Sequence, residues 1–409
     1  MRVVIANHSL DTPAGSETYV MTLAQGLRAL GHDVICFSPH VGQVANAIRR
    51  QGVRVVADAR EVGSVDVIHS SHFDSTHLVL AAMPVTPMVF VQHGVGTREV
   101  LERAPGPQGA IERWVAVSDR VAEAMVWRDG LSRDQIHVIP NFVDLERFAP
   151  LNPPRSPSRT MLFLSNFQTT GMRRLIAEAC GLAGLEPPFV GGHRFTMDVR
   201  SELMVADVVV TIGRGAIEAM ACARPVVLLS LAGGDGLLTP ETAVQALRSN
   251  YAGLVRRTIP TAPELAAELR RATPALGRWG REWVEQNHDA RALVPRLVTL
   301  YEEAIEAAGE RLRRDGLAGV LAARYAEFYP ALRWYNGVSA KFESARAAVS
   351  FPVWAPDADD ELELLLAQLR DEVGFWKRRY EWVVGYRPIG VALEMLRSLR
   401  RIVRERRRA

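Results

Sequence analysis

Cysteine is scarce in this chain of 409 residues, with three in all. Cys36, Cys180 and Cys222 are widely spaced, and each sits in apolar surroundings. An odd number without metal-ligand spacing argues against a disulfide framework or a zinc site and reads as reduced core thiols in a reducing compartment. Long apolar runs are also lacking: no stretch reaches the roughly eighteen residues that a membrane-spanning helix needs. The opening MRVVIANHSL lacks the charged-then-apolar layout of a secretory leader and reads as a first strand. Gly-x-Gly-x-x-Gly is absent, as is any low-complexity tract. Charge of one sign is confined to the end. Arg397, Arg400, Arg401, Arg404, Arg406, Arg407 and Arg408 face only Glu405, and without that tail the +3 net charge turns slightly acidic. No basic stripe crosses a folded region, so nucleic acid is not an expected partner.

What is present is an alternation of short apolar runs and amphipathic stretches. Val3–Ala6 is followed by a polar loop ending Pro13-Ala14-Gly15-Ser16. A helix is then predicted, with Val20, Leu23, Leu27 and Leu30 on one face and Gly31 at its C-terminal cap. Apolar runs return at Asp33–Phe37, Val53–Val56, Val65–His69, Met88–Gln92, Val115–Ser118 and His137–Pro140. Residues 149–160, rich in Pro and Ser, read as a linker. The alternation restarts at Met161–Leu164, Pro188–Val190, Val208–Val210 and Val226–Leu229, and a helix from about Ala290 to Ala307 is expected to close that half. The fold class expected is α/β, two open parallel sheets with helices on both faces.

Three segments carry candidate chemistry. Gly15, entering a helix, is either a plain turn residue or a place where backbone meets a phosphate. His93, at the end of the run Phe90–Gly94, lies where ligands bind in open α/β sheets; it reads either as a loop histidine bonded to backbone or as a group touching a sugar hydroxyl. The third is Gly213-Arg-Gly-Ala-Ile-Glu218-Ala-Met-Ala-Cys-Ala-Arg-Pro225. Its Gly213, Arg214, Gly215 and Ala216 open a helix that suits phosphates. Glu218 is either a helix-dipole residue or an acceptor for both hydroxyls of a ribose.

Together these pieces resemble family 4 glycosyltransferases of the GT-B fold. Ala14–Val34 resembles the family's opening. Val115-Ala-Val-Ser118, His137-Val-Ile-Pro-Asn-Phe-Val-Asp144 and Arg147-Phe148 resemble the end of its first domain. Ala206–Val210 with Gly213–Pro225 resembles its donor-binding motif, and Asp235–Glu241 with Asn250–Gly253 resembles a following loop of one bacterial branch. The match spans about residues 1–305. It implies two Rossmann-like domains facing across a cleft: 1–148 for the acceptor, then, after the 149–160 linker, 161–305 for the donor. It also implies retaining, hexosyltransferase-type transfer from a nucleoside-diphosphate sugar to a glycan or lipid-linked acceptor, with no metal or other cofactor. Gly15, Gly213, Gly215 and Ala216 fall at positions facing the diphosphate, Glu218 at the ribose, and His93 at the donor sugar. The expected setting is the bacterial cytoplasm, in envelope or exported polysaccharide synthesis.

Two departures stand out. Val210 occupies the position, eight residues before Glu218, where the family carries a second glutamate. The family's basic pair has only shifted candidates in Arg173 and Arg174, and Arg214 is expected to supply a catalytic positive charge. Beyond the resemblance, residues 306–409 are expected to be helical. Leu362, Leu366, Leu369, Val373, Trp376, Tyr380 and Val383 form a heptad stripe within 360–385, either packed on the body or forming a homodimer seam. The basic tail 389–409 reads either as solvated or as a peripheral contact with the inner face of the plasma membrane. Two rival readings stay open: a degenerate GT-B chain acting as a scaffold subunit, and a sugar-nucleotide epimerase of the same architecture.

Overall fold

The computed structural model describes residues 1–95, 111–166, 168–192, 194–231 and 233–345. The heptad stripe at 360–385 and the basic tail at 389–409 lie outside the described residues. By contacts the chain divides into Met1–Thr76 with Thr86–Arg314, and His77–Val85 with the chain from Asp315 onward. The first of these holds both sheets.

The apolar runs of the N-terminal half become β1 (Arg2–Ala6), β2 (Asp33–Phe37), β3 (Arg54–Val56), β4 (Val67–Ser70), β5 (Met88–Gln92), β6 (Arg113–Ala116) and β7 (Ile136–Val138). Among the described residues they form a seven-stranded sheet in the order β3-β2-β1-β4-β5-β6-β7, every pair parallel. Val3 to Ala6 are fully buried, as a central parallel strand covered on both faces must be. The helices of this half are α1 (Gly15–Ala29), α2 (Gln43–Arg50), α3 (Phe73–Ala82) and α4 (Asp119–Asp129). Helix α1 buries Val20, Leu23 and Leu27 and ends before Gly31 at φ +83°, as the pattern predicted; Leu30, expected on the buried face, is exposed at the C-cap.

The second sheet contains β8 (Met161–Leu164), β9 (Phe189–Val190), β10 (Val208–Thr211), β11 (Val226–Ser230) and β12 (Gly233–Leu237), in the order β12-β11-β10-β8-β9. Its helices are α5 (Thr170–Ala183), α6 (Val199–Val205), α7 (Arg214–Ala221), α8 (Pro240–Arg248), α9 (Ala262–Arg271) and α10 (Pro274–Asn287). The expected all-parallel arrangement fails at one edge, where β12 runs antiparallel to β11 with Leu237 opposite Val227. This segment reads as loop in sequence because its glycines carry little strand propensity; pairing with a buried neighbour overrides that.

The last helix, α11 (Ala290–Ala345), corrects the expectation that it closes the second half. Its first turns pack on the N-terminal sheet and α1. Tyr301 Oη is 2.7 Å from His69 Nδ1, Arg113 meets Glu303 at 2.9 Å, and Arg296 donates to the Val138 carbonyl. The helical dihedrals break at Gly316, φ +65°. In the second contact unit the chain continues helical to Ala345.

A buried network joins the two halves behind the sheets. His288 Nδ1–H donates to the Asn141 carbonyl at 2.6 Å, so its Nε2 accepts from the Tyr251 hydroxyl at 2.8 Å. Trp283 Nε1–H in turn donates to that Tyr251 oxygen at 2.8 Å. Burial lowers the His288 pKa to about 4 and that of His69 to about 3. Both rings are therefore neutral in the fold and take up protons on unfolding at mildly acid pH. Stability should fall as pH drops from 6.5 toward 5, by up to about 1.4 kcal/mol per pH unit for each histidine. Urea melts across that range check this; an unfolding free energy that stays flat between pH 6.5 and 5 would contradict it.

Candidate donor site

A cavity of about 180 Å³ opens between the carboxyl ends of the second sheet and the start of α1. From the N-terminal half it is lined by Pro13, Ala14, Gly15 and Thr18. From the second half come the ends of β8 (Leu164 to Asn166), β9 (Val190, Gly191) and β10 (Thr211, Ile212), and Arg214, Gly215 and Glu218 of α7. In this sheet β9 lies on one side of β8 and β10 on the other, so the cavity sits at the topological switch point, where open α/β sheets bind ligands. Asn166 Nδ2 donates across it to the Pro13 carbonyl at 3.3 Å.

Two helices begin at this cavity, and neither has a side-chain cap. Helices α4, α5, α9 and α10 are capped by Ser118, Thr169, Thr261 and Thr273. The first-turn amides of α1 and α7 thus face the cavity with the positive ends of two helix dipoles, an environment that favours an anion. Gly213 precedes α7 at φ +58°, a conformation that disfavours any side chain. A Cβ on Gly15 would meet nothing within 4 Å, so the space beside it belongs to the cavity.

Glu218 lies on α7, 6% exposed, and lines the cavity. Arg214 lines it too, but its side chain is directed into protein. Nε donates to Glu218 Oε1 at 2.9 Å, one terminal nitrogen to the Phe142 carbonyl at 2.7 Å, and the other to Thr22 Oγ1 of α1 at 2.7 Å. Burial pulls its pKa down while the Glu218 carboxylate holds it up. The expectation that Arg214 offers its charge to a ligand is therefore joined by a second role, a tie between α7, α1 and the Ile139–Val143 segment.

The remaining expected residues lie elsewhere. His93 is not among the residues lining the cavity. Its Nε2 is 3.1 Å from Ser71 Oγ and its ring packs edge-on against Tyr19 at 4.6 Å, and burial pushes its pKa well below the usual value. Arg173 bonds Gln168 and lies 4.4 Å over the Phe189 ring; neither it nor the exposed Arg174 lines the cavity. Val210 is fully buried within β10, so no side chain at that position reaches the cavity without leaving the core. Asn166, Phe195, Thr196 and Ile212 are lining residues that motif reasoning passed over. Only Phe195 left a signal, a large aromatic in a polar loop, and it is 41% exposed. Among the described residues no group of three or more His, Cys, Asp or Glu could hold a metal ion.

Removing Arg214 would leave the Glu218 carboxylate buried without its cation. Arg214→Met should cost roughly 3–5 kcal/mol of stability, with part of the loss recovered in Arg214→Met/Glu218→Gln. Denaturant melts of the single and double variants check this, and strictly additive losses would contradict it.

The family model for Glycosyltransferase Family 4 matches residues 13–147. No curated protein matches the chain by sequence. Among solved structures, a glycosyltransferase from Rickettsia africae superposes with TM-score 0.52 at 15% identity, covering 75% of this chain and 98% of its own. Anabaena Alr3699/HepE, solved with UDP and glucose, superposes with TM-score 0.57 at 15% identity, covering 74% of this chain and 99% of its own. At such identities the likeness carries the fold, and the fold is that of both sheets together. The chain shares the two-sheet GT-B fold of these glycosyltransferases, and its residues 13–147 match Glycosyltransferase Family 4.

Proposed function

We propose that the chain transfers a hexose from a nucleoside-diphosphate sugar, bound in the cavity at the second sheet, to a glycan or lipid-linked acceptor held by the N-terminal half. The observation that carries this reading is the meeting of two uncapped helix N-termini beside Glu218. A diphosphate accepts from the first-turn amides of α7 and α1, and its charge is met by backbone dipoles and the nearby Arg214 without a metal. The ribose diol donates to Glu218, whose Oε2 adds an acceptor beside the Oε1 shared with Arg214. The nucleobase stacks on Phe195 beside Val190 and Gly191. His93, kept neutral by burial, offers a hydrogen bond toward the sugar.

The fold shared with the UDP-bound Anabaena protein supports a nucleotide ligand. Among the described residues no helix is long and apolar enough to cross a membrane. We place the reaction at the cytoplasmic side, in envelope or exported polysaccharide synthesis, with the arginine tail at 389–409 as the membrane contact and the 360–385 stripe as a homodimer seam.

UDP, GDP, ADP and TDP, tested separately, should identify the base by thermal shift. The right diphosphate at a hundredfold excess over its Kd stabilises by about 2.7 kcal/mol. Glu218→Gln and Gly15→Val should abolish that shift, and Phe195→Ala should weaken binding by about 1–3 kcal/mol. Slow release of nucleotide from the matching sugar donor is expected as well. Absence of both binding and release would favour the scaffold reading, to which the buried Val210 already points.

A further inference from the structure

Helix α8 ends in an uncommon turn, and that turn holds the start of α7. Tyr251 N–H donates to the Ala246 carbonyl at 2.7 Å and Asn250 N–H to that of Leu247 at 3.0 Å. Asn250, at φ +56°, is the left-handed residue that often closes a helix, and asparagine tolerates that conformation. Tyr251 stays left-handed at φ +54°, which such a cap does not need and a bulky side chain disfavours. Its carbonyl accepts from the Gly213 N–H at 2.9 Å. The Gly213 carbonyl in turn accepts from the Ala216 N–H at 3.1 Å. With both groups of Gly213 engaged, Arg214 and Gly215, which line the donor cavity, present the first amides of α7 to it.

A closed ring of hydrogen bonds keeps the turn in this shape. Asn141 Nδ2 donates to Asn250 Oδ1 at 2.9 Å, while the Asn141 carbonyl accepts from His288 Nδ1. His288 Nε2 accepts from the Tyr251 hydroxyl, and the backbone from Tyr251 to Asn250 completes the circle. Trp283 fixes the Tyr251 oxygen from outside the ring. Tyr251 is fully buried, so water does not compete for these partners. Glycine would suit the Tyr251 backbone better, and Gly253 takes up φ +70° two residues later. Tyrosine at 251 keeps the strain and gains the anchor. A turn that only reversed the chain would need neither that anchor nor a carbonyl aimed at Gly213.

We propose that the Asn250–Tyr251 turn is a positioning element for the donor diphosphate; this rests on the donor-site reading above. The ring through Asn141 and His288 sets the Tyr251 carbonyl, that carbonyl sets Gly213, and Gly213 sets the direction of the Arg214 and Gly215 amides. A hydrogen bond from an amide to a charged oxygen weakens steeply once it is misaligned. Opening the ring at any point therefore lets the first amides of α7 turn away from the diphosphate. Glu218 lies a turn further along α7 and is tied by Arg214, so the ribose contact does not depend on the ring. Neither Asn250 nor Tyr251 lines the cavity, and both act through Gly213.

Titration calorimetry with UDP, GDP, ADP and TDP identifies the diphosphate that the wild type binds. Its Kd, and that of the parent nucleoside by ligand-observed NMR, are then measured in Tyr251→Phe, Asn250→Gly and the double variant. Tyr251→Phe deletes the hydroxyl alone, and Asn250→Gly keeps the left-handed backbone while removing the tie to Asn141. Each should weaken the diphosphate roughly tenfold to a hundredfold, the worth of one charge-assisted hydrogen bond, and leave the nucleoside unchanged. The double variant should lose little more than either single one, because one break already opens the ring. Amide exchange in the wild type needs no variant to fold. Gly213 should exchange slowly with or without the diphosphate, Arg214 and Gly215 only with it. Unchanged diphosphate affinity in the folded variants overturns the proposal, as does an equal loss of nucleoside and diphosphate. So does a double variant whose losses simply add, or a freely exchanging Gly213 amide. A wild type that binds none of the four overturns the donor-site reading and this proposal with it.

Discussion

The architecture turns on one buried cation. Arg214 starts helix α7 in the second half, yet its guanidinium reaches a helix of the first half, a carbonyl of the connecting segment and the carboxylate of Glu218. A charge taken out of water at this depth is tolerable only with such partners. Each tie therefore sets the place of the others. The start of α7 is held against α1, and Glu218 is held at the mouth of the cavity. Behind this clamp the His288 network fixes the same connecting segment through Asn141, and Val143 pairs with the chain leaving α10.

With the halves so held, the two sheets present their switch points in different chemical dress. The second sheet offers backbone amides, two helix dipoles and one carboxylate, a surface suited to a diphosphate and a ribose. The first carries imidazoles and a buried carboxylate beyond its strands.

Much of this could be read from the chain itself. Apolar runs of four or five residues gave most strands, Gly31 marked the end of α1, and Gly15, Gly215 and Glu218, which line the cavity, stood out because helix starts and strand ends leave local patterns. What escaped depends on partners far along the chain. The strand β12 exists through its neighbour and not through its glycine-rich sequence. The return of α11 to the first sheet is decided by Tyr301 meeting His69, residues more than two hundred positions apart. Arg214 read as a phosphate ligand because its helix position is local, while Thr22 and Phe142 are not. His8 and Asp74 looked unremarkable apart, since only the order of strands in the sheet brings them together.

The central claim, a nucleoside-diphosphate sugar donor bound where α1 and α7 begin, is tested most directly by a crystal structure of the chain grown with the diphosphate that it binds. The diphosphate is expected within hydrogen-bond distance of the Arg214 and Gly215 amides, and the ribose on Glu218. A diphosphate held elsewhere, or a ribose turned away from Glu218, would contradict it.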